Sequence, residues 1–257
     1  MLPSRLLPLL LLALAPLAQA IDVPPPPPGA PPSVRAPDGR WHGFVGLGGV
    51  LASGTTTTGT VNANVLGTQE TEAGKLTVWG IGNYSAYHAS GGPNTTTANS
   101  VRLGSRYDKY LTDLAFVFAA IEGETNRPQG LSSRLSGDLG AGYKVLRSET
   151  STFDLFVGVG DTSNRFTTGS SAEGVQALFG EESTHKISAT TSLRQRLAIR
   201  GGAGDVGSLA TFDSTLATKL AGDWTLNSGF QARRTGNAPV GVKATTSLLT
   251  VGLGYKF

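Results

Sequence analysis

The stretch Ser247-Leu248-Leu249-Thr250-Val251-Gly252-Leu253-Gly254-Tyr255-Lys256-Phe257 constrains this chain more than any other. Leu249, Val251, Leu253, Tyr255 and Phe257 share one parity, while Leu248, Thr250, Gly252, Gly254 and Lys256 share the other. Successive side chains of a strand point to opposite faces, so this is a strand with one greasy row and one mostly small or polar row. The greasy row needs an apolar neighbour, and composition indicates which kind. Hydrophobic residues make up 39% of the chain, too few for a helical membrane protein. They suit a barrel whose strands are apolar on one face only. The 35 glycines are roughly twice ordinary usage.

The first 20 residues read as a segment outside the fold. Arg5 is followed by the apolar run 6–14, and Ala18-Gln19-Ala20 forms a small-residue cleavage site. Pro8 and Pro16 break a run already too short to span a bilayer. A cleaved signal peptide is therefore expected over 1–20. Residues 21–40 follow as a periplasmic arm, carrying Pro24 through Pro28, Pro31, Pro32 and Pro37. Proline at this density favours an extended, solvated segment, read here as a spacer rather than a docking arm. The chain carries 21 Lys+Arg against 18 Asp+Glu, a balance that gives no hint of nucleic acid. The absence of Cys excludes a disulfide scaffold, a Cys-ligated zinc site and a lipidated N-terminal Cys.

From Trp41 to Phe257 the alternation repeats about twelve times, with ten or fourteen strands as alternatives. Val101, Leu103 and Tyr107 oppose Arg102, Arg106 and Asp108; Phe153, Leu155 and Val157 oppose Asp154 and Phe156. The segment 114–122 is apolar on both faces, and 175–187 alternates weakly. If Phe257 ends in the periplasm, the odd-numbered connections face outside. Long polar loops are expected there at 89–100, 124–132, 161–174, 201–208 and 235–244, and short turns on the other side, apart from a medium one at 69–74. Long outer loops and short inner turns fit an outer-membrane barrel rather than a soluble sandwich. Trp41, Tyr107, Tyr143, Phe153, Trp224, Tyr255 and Phe257 fall at the inner ends of the apolar rows, as one half of an interfacial girdle. Domain 41–257 is thus expected to be an all-β, antiparallel transmembrane β-barrel of about 12 strands. Its expected place is the outer membrane of a Gram-negative bacterium, among outer-membrane lipid and lipopolysaccharide.

Several segments carry a family likeness: Trp41-His42-Gly43-Phe44, Arg106-Tyr107-Asp108, Gly140-Ala141-Gly142-Tyr143, the run 180–186, Leu193-Arg194-Gln195-Arg196-Leu197, and Gly252 to Phe257. In their order and spacing they resemble the YdiY-like family of salt-induced outer-membrane proteins, a domain of unknown function. The closing strand resembles the aromatic-ended strand read by the barrel-assembly machinery. The resemblance implies an outer-membrane barrel with an osmotic role. It supplies no catalytic residues.

Chemistry is sparse. Gly202-Ala203-Gly204-Asp205-Val206-Gly207 spells a dinucleotide fingerprint, but a strand pattern rather than a helix follows it, so it reads as a hairpin loop. An outer-membrane hydrolase or acyltransferase would need a His-centred group. His42 and His185 lie near the inner end, and His88 beside Ser90 has no acid at obvious spacing. Glu181, Ser183 and His185 stand two apart on one strand face, about 6.5–7 Å between neighbours, which suits a polar ladder better than a proton relay. No enzyme, cofactor or metal is expected.

The other parity is more informative. Arg102, Arg106, Arg134, Lys144, Arg194, Arg196, Lys219, Arg233 and Lys256 fall on lumen-facing rows, against Asp108, Asp138, Asp154 and Asp213. A basic lumen can favour anions. The reading that follows is a narrow, anion-preferring passive pore for small ions or solutes. The alternatives are a closed structural barrel whose charges pair across the lumen and, third, the hydrolase or acyltransferase. Pore and plug differ in whether Arg194, Arg196 and Arg233 lack acidic partners.

Overall fold

The computed structural model describes residues 37–52, 56–89, 92–202, 205–236 and 244–257. The expected signal peptide, residues 21–36 of the proline-rich arm, and Ala203 and Gly204 of the fingerprint-like loop lie outside the described residues. The rest is a single closed barrel. Its strands are β1 (Trp41–Ala52), β2 (Thr56–Thr71), β3 (Gly74–Ala89), β4 (Asn94–Tyr110), β5 (Ala115–Asn126), β6 (Leu131–Arg147), β7 (Ser151–Phe166), β8 (Ser171–Lys186), β9 (Thr191–Gly202), β10 (Leu209–Lys219), β11 (Trp224–Thr235) and β12 (Thr245–Lys256). Each pairs antiparallel with the next, and β12 returns to pair with β1.

The alternation decides which face goes where. Leu47, Leu139, Val159, Val175 and Leu249 stand more than half exposed on the outside. Asn62, Asn83, Asp108, Asn126, Gln231 and Thr246 are buried inside. An apolar belt of this extent outside a polar interior is stable only against lipid.

Strand length breaks the symmetry. A barrel strand crosses a bilayer in about 9–11 residues, yet β2, β3, β4, β6, β7 and β8 each have 16 or 17. The surplus replaces much of the expected loop structure. β4 already begins at Asn94, β5 continues to Asn126, β7 continues to Phe166 and β8 begins at Ser171. These extensions, such as Asn94-Thr95-Thr96-Thr97, are polar on both faces. Alternation vanishes where both faces are wet, while β-branched threonines still favour the pleat. The medium turn expected at 69–74 is tight, because β2 reaches Thr71 and β3 starts at Gly74. The weakly alternating 175–187 lies largely within β8. At the rim holding Trp41 and Phe257 (the terminal rim), the connections are two to four residues long.

Inside, aromatic rings lie over glycines on the adjacent strand. Trp79 is paired with Gly104, Phe116 with Gly142, Phe118 with Gly140 and Phe156 with Gly180. A Cβ on any of these glycines would overlap the facing ring. Part of the glycine excess is thereby explained: the ring takes the place the missing side chain would occupy. The closing seam uses the same device. β1 and β12 share a short register from Phe44↔Lys256 to Gly48↔Gly252. Beyond it Gly43 and Phe257 exchange backbone hydrogen bonds of 3.0 and 3.1 Å. Phe44, 1% exposed, covers Gly254 from the inside.

Gly254→Val is therefore expected to displace Phe44 and loosen the seam, while Gly82→Val, at a glycine with open space around it, leaves it intact. Heat-modifiable gel migration checks this: the Gly254 variant should lose its fast-migrating folded form at a lower temperature than wild type and the Gly82 variant.

Candidate functional site: the charged lumen

Strands β5 and β11 stand six places apart in a ring of twelve, on opposite sides of the barrel. Glu124 on β5 and Arg233 on β11 nonetheless meet. Arg233 donates from Nη1 to Oε1 at 2.6 Å and from Nη2 to Oε2 at 3.1 Å. The same carboxylate accepts from Arg134 Nη1 at 3.2 Å, and Arg134 Nε donates to Asn164 at 2.7 Å. Glu124 and Arg233 are 4% and 6% exposed. Around this bridge, Arg102 faces Glu122 at 3.6 Å and Arg200 reaches Asp138 at 2.6 Å, while Gln231 donates to Asp213.

A second tier lies between this bridge and the terminal rim. Phe116, Phe118, Phe156, Leu178 and Ala198 form a buried apolar cluster inside the barrel. The guanidinium of Arg106 sits 4.2 Å from the Phe118 ring centre and 4.8 Å from that of Phe156. Its Nε donates to Asp108 at 2.5 Å. Such stacking keeps a charge inside an apolar layer without stranding it.

The third tier is a vestibule of about 820 Å³ lined by residues of the terminal rim. Arg194 pairs with Glu182, Arg147 reaches Asp154 at 2.5 Å, and Lys75 lies 3.7 Å from Asp108. Tyr110 donates to Glu70, and Lys144 Nζ stands 3.5 Å over the Tyr110 ring. Pro37 lines this space too. The residues after it are tied to the rim: Gln69 Nε2 donates to Gly39 O at 2.8 Å, and His42 pairs with Asp38 at 2.9 Å. Deeper in, the cavity shrinks to voids of about 40 and 20 Å³.

The nine cations and four acids expected in the lumen are thus distributed over three tiers, with Lys219 and Lys256 near the terminal rim. Sequence reasoning missed six acids, Glu70, Glu72, Asp113, Glu122, Glu124 and Glu182, and three cations, Lys75, Arg147 and Arg200. For β5 a signal existed. Glu122 and Glu124 share a parity with Phe116 and Phe118, and two carboxylates on one face cannot point into lipid. On β8, attention to the 181–183–185 row hid Glu182 on the opposite face. Of the three arginines that separate pore from plug, Arg194 and Arg233 have acidic partners; Arg196 has none within ion-pair distance among the described residues.

The histidines do not assemble a relay. His185 Nδ1 lies 3.0 Å from Ser151 Oγ, on the neighbouring strand, and no carboxylate bonds it among the described residues. His88 is exposed. The fingerprint-like segment joins β9 to the strand β10, where Gly207 O accepts from Gln176 Nε2 at 2.9 Å. The aromatic residues Trp41, Tyr107, Tyr143, Trp224, Tyr255 and Phe257 stand 44–55% exposed on the outer face. Phe153 is half-buried, and Trp224 packs edge-on against Tyr255 at 5.5 Å.

A closed antiparallel barrel with an apolar exterior and an ionic interior is a transmembrane β-barrel. The chain belongs to the family described as "Protein of unknown function, DUF481", whose model matches residues 45–257; the YdiY-like resemblance agrees with this membership. Among solved structures the chain is similar to the COG4313 outer membrane channel from Pseudomonas putida F1, with 14% identity and a TM-score of 0.50 over 89% of this chain and 99% of that one. It is also similar to the NanC porin, with 10% identity and a TM-score of 0.47 over 83% of this chain and 98% of that one. The first of these likenesses shows the fold. No curated protein matches.

Removing one partner of a buried ion pair leaves the other charge uncompensated, at a cost of about 3–5 kcal/mol. Arg233→Ala should destabilise the barrel on that scale in urea refolding equilibria in micelles. Arg234→Ala, whose side chain is exposed, should change it little.

Proposed function

We propose that this chain is a narrow passive channel of the outer membrane, shut at rest by its own lumen side chains. One observation carries the reading: the barrel is blocked by ionic and aromatic tips, chiefly Glu124 with Arg233 and Arg134, below which an 820 Å³ vestibule opens at the terminal rim. No strand or helix inserts into the lumen among the described residues. Side chains can swing aside by rotamer changes, so a passage for small ions needs no refolding of the wall.

In this reading the terminal rim faces the periplasm, where the proline-rich arm emerges. The aromatic girdle marks that interface. The long strand extensions stand outside among lipopolysaccharide, and the aromatic-ended β12 addresses the barrel-assembly machinery. With the missed residues included, the cations of the lumen and its mouth outnumber the acids only slightly, which supports a weak anion preference. A passive, normally closed anion path suits the osmotic role that the salt-induced resemblance implies.

The burial of Glu124 and Arg233 favours a second reading, a permanently closed structural barrel. Planar-bilayer recording in a salt gradient separates the two. Wild type should show rare, small openings with an anion-selective reversal potential. The double variant Glu124→Ala/Arg233→Ala should conduct several-fold more. A correctly folded double variant that remains silent would establish the structural barrel, and a cation-selective reversal potential would refute the anion preference.

A further inference from the structure

Among the described residues, Arg196 is the lumen arginine that the ion pairs leave over. The carboxylates lining the two small voids each have a cation of their own, as described above. Arg196 instead lies 5.8 Å from the Phe156 ring centre, and its Nε is buried with no hydrogen-bond partner. Trp79 presents a second orphan donor: it is 8% exposed, and its indole Nε1 is buried and unpartnered. Both residues, together with Arg106, line both voids, of about 40 and 20 Å³.

An arginine Nε buried with no carboxylate within ion-pair distance and an indole N–H without an acceptor are each costly, and a negative acceptor in the voids that both residues line satisfies them together. A void of roughly 10–15 Å³ or more admits a water-sized particle, so the smaller void, of about 20 Å³, is the size of a single small ion. It is too small for a sugar or a carboxylate solute. We infer that Trp79, Arg106 and Arg196 form a binding site for one small monovalent anion of halide size, placed where the vestibule narrows into the aromatic tier. Aromatic rings around it exclude bulk water, and the N–H donors supply the coordination that hydration would otherwise give. The inference deepens the proposed channel reading, since an anion entering from the vestibule would pause at this site. It concerns occupancy alone, however, and holds whether or not the barrel conducts.

Occupancy can be read without any current. The chain has three tryptophans, and Trp41 and Trp224 stand on the outer face. In a Trp41→Phe/Trp224→Phe variant, refolded in micelles and checked by heat-modifiable migration, Trp79 is the only indole. Bromide at constant ionic strength, balanced with gluconate, is expected to quench it saturably, and chloride to compete, shifting the half-saturation point several-fold. Arg196→Met on that background should abolish the saturable component. Wild type should also melt higher in chloride than in gluconate, and Arg196→Met should lose that difference. Quenching that rises linearly with bromide, ignores chloride or survives Arg196→Met would overturn the site, as would equal melting of wild type in both salts. Silence in bilayer recordings bears on the channel reading and leaves this result standing.

Discussion

The interior depends on one constraint: charges placed inside a closed barrel must find partners across it. Glu124 meets this for two arginines at once, one from the opposite wall. Because the pair is bidentate and withdrawn from water, it fixes both side chains in position as well as neutralising them. The Arg102–Glu122 and Arg200–Asp138 pairs gather around it. A lumen that would be a wet tube if these side chains hugged the wall is instead a set of cross-braces.

The aromatic tier makes those braces effective. Phe116, Phe118 and Phe156 can lie inward because glycines on the adjoining strands leave room beneath the rings. Arg106 is held between two of those rings and Asp108, which joins the apolar layer to the ionic ones. The result is asymmetric along the barrel axis. One end has a vestibule open at the terminal rim; the other has a dense ionic layer and strand extensions. In the proposed reading, a barrel built this way admits small polar particles from one side and stops them partway.

The wall was legible in the sequence, and the brace was not. Alternation in the membrane-crossing parts of β4, β7 and β12 is clear because one face meets lipid and the other the lumen, so facing mostly follows from residue type. The same logic placed Arg102, Arg106 and Arg233 on the inner rows. It failed on β5, where Phe116 and Phe118 made the inner face look as apolar as the outer. That ambiguity concealed Glu122 and Glu124, and with them the partner of Arg233. Pairings across a barrel join residues 109 positions apart in sequence and depend on strand register, which no local pattern encodes. The loops were overestimated for a related reason: strand extensions such as 94–97 are polar on both faces and so lose the alternating signature.

If side chains shut the lumen, accessibility shows it most directly. The chain contains no Cys, so single cysteines report without background. Thr77→Cys lies in the vestibule lining, whereas Ser100 is 1% exposed. A small charged methanethiosulfonate reagent should modify position 77 fast and position 100 slowly. Position 100 should become reactive once Glu124→Ala/Arg233→Ala removes the brace. Equal rates at both positions in the otherwise unaltered barrel would contradict a lumen shut by side chains.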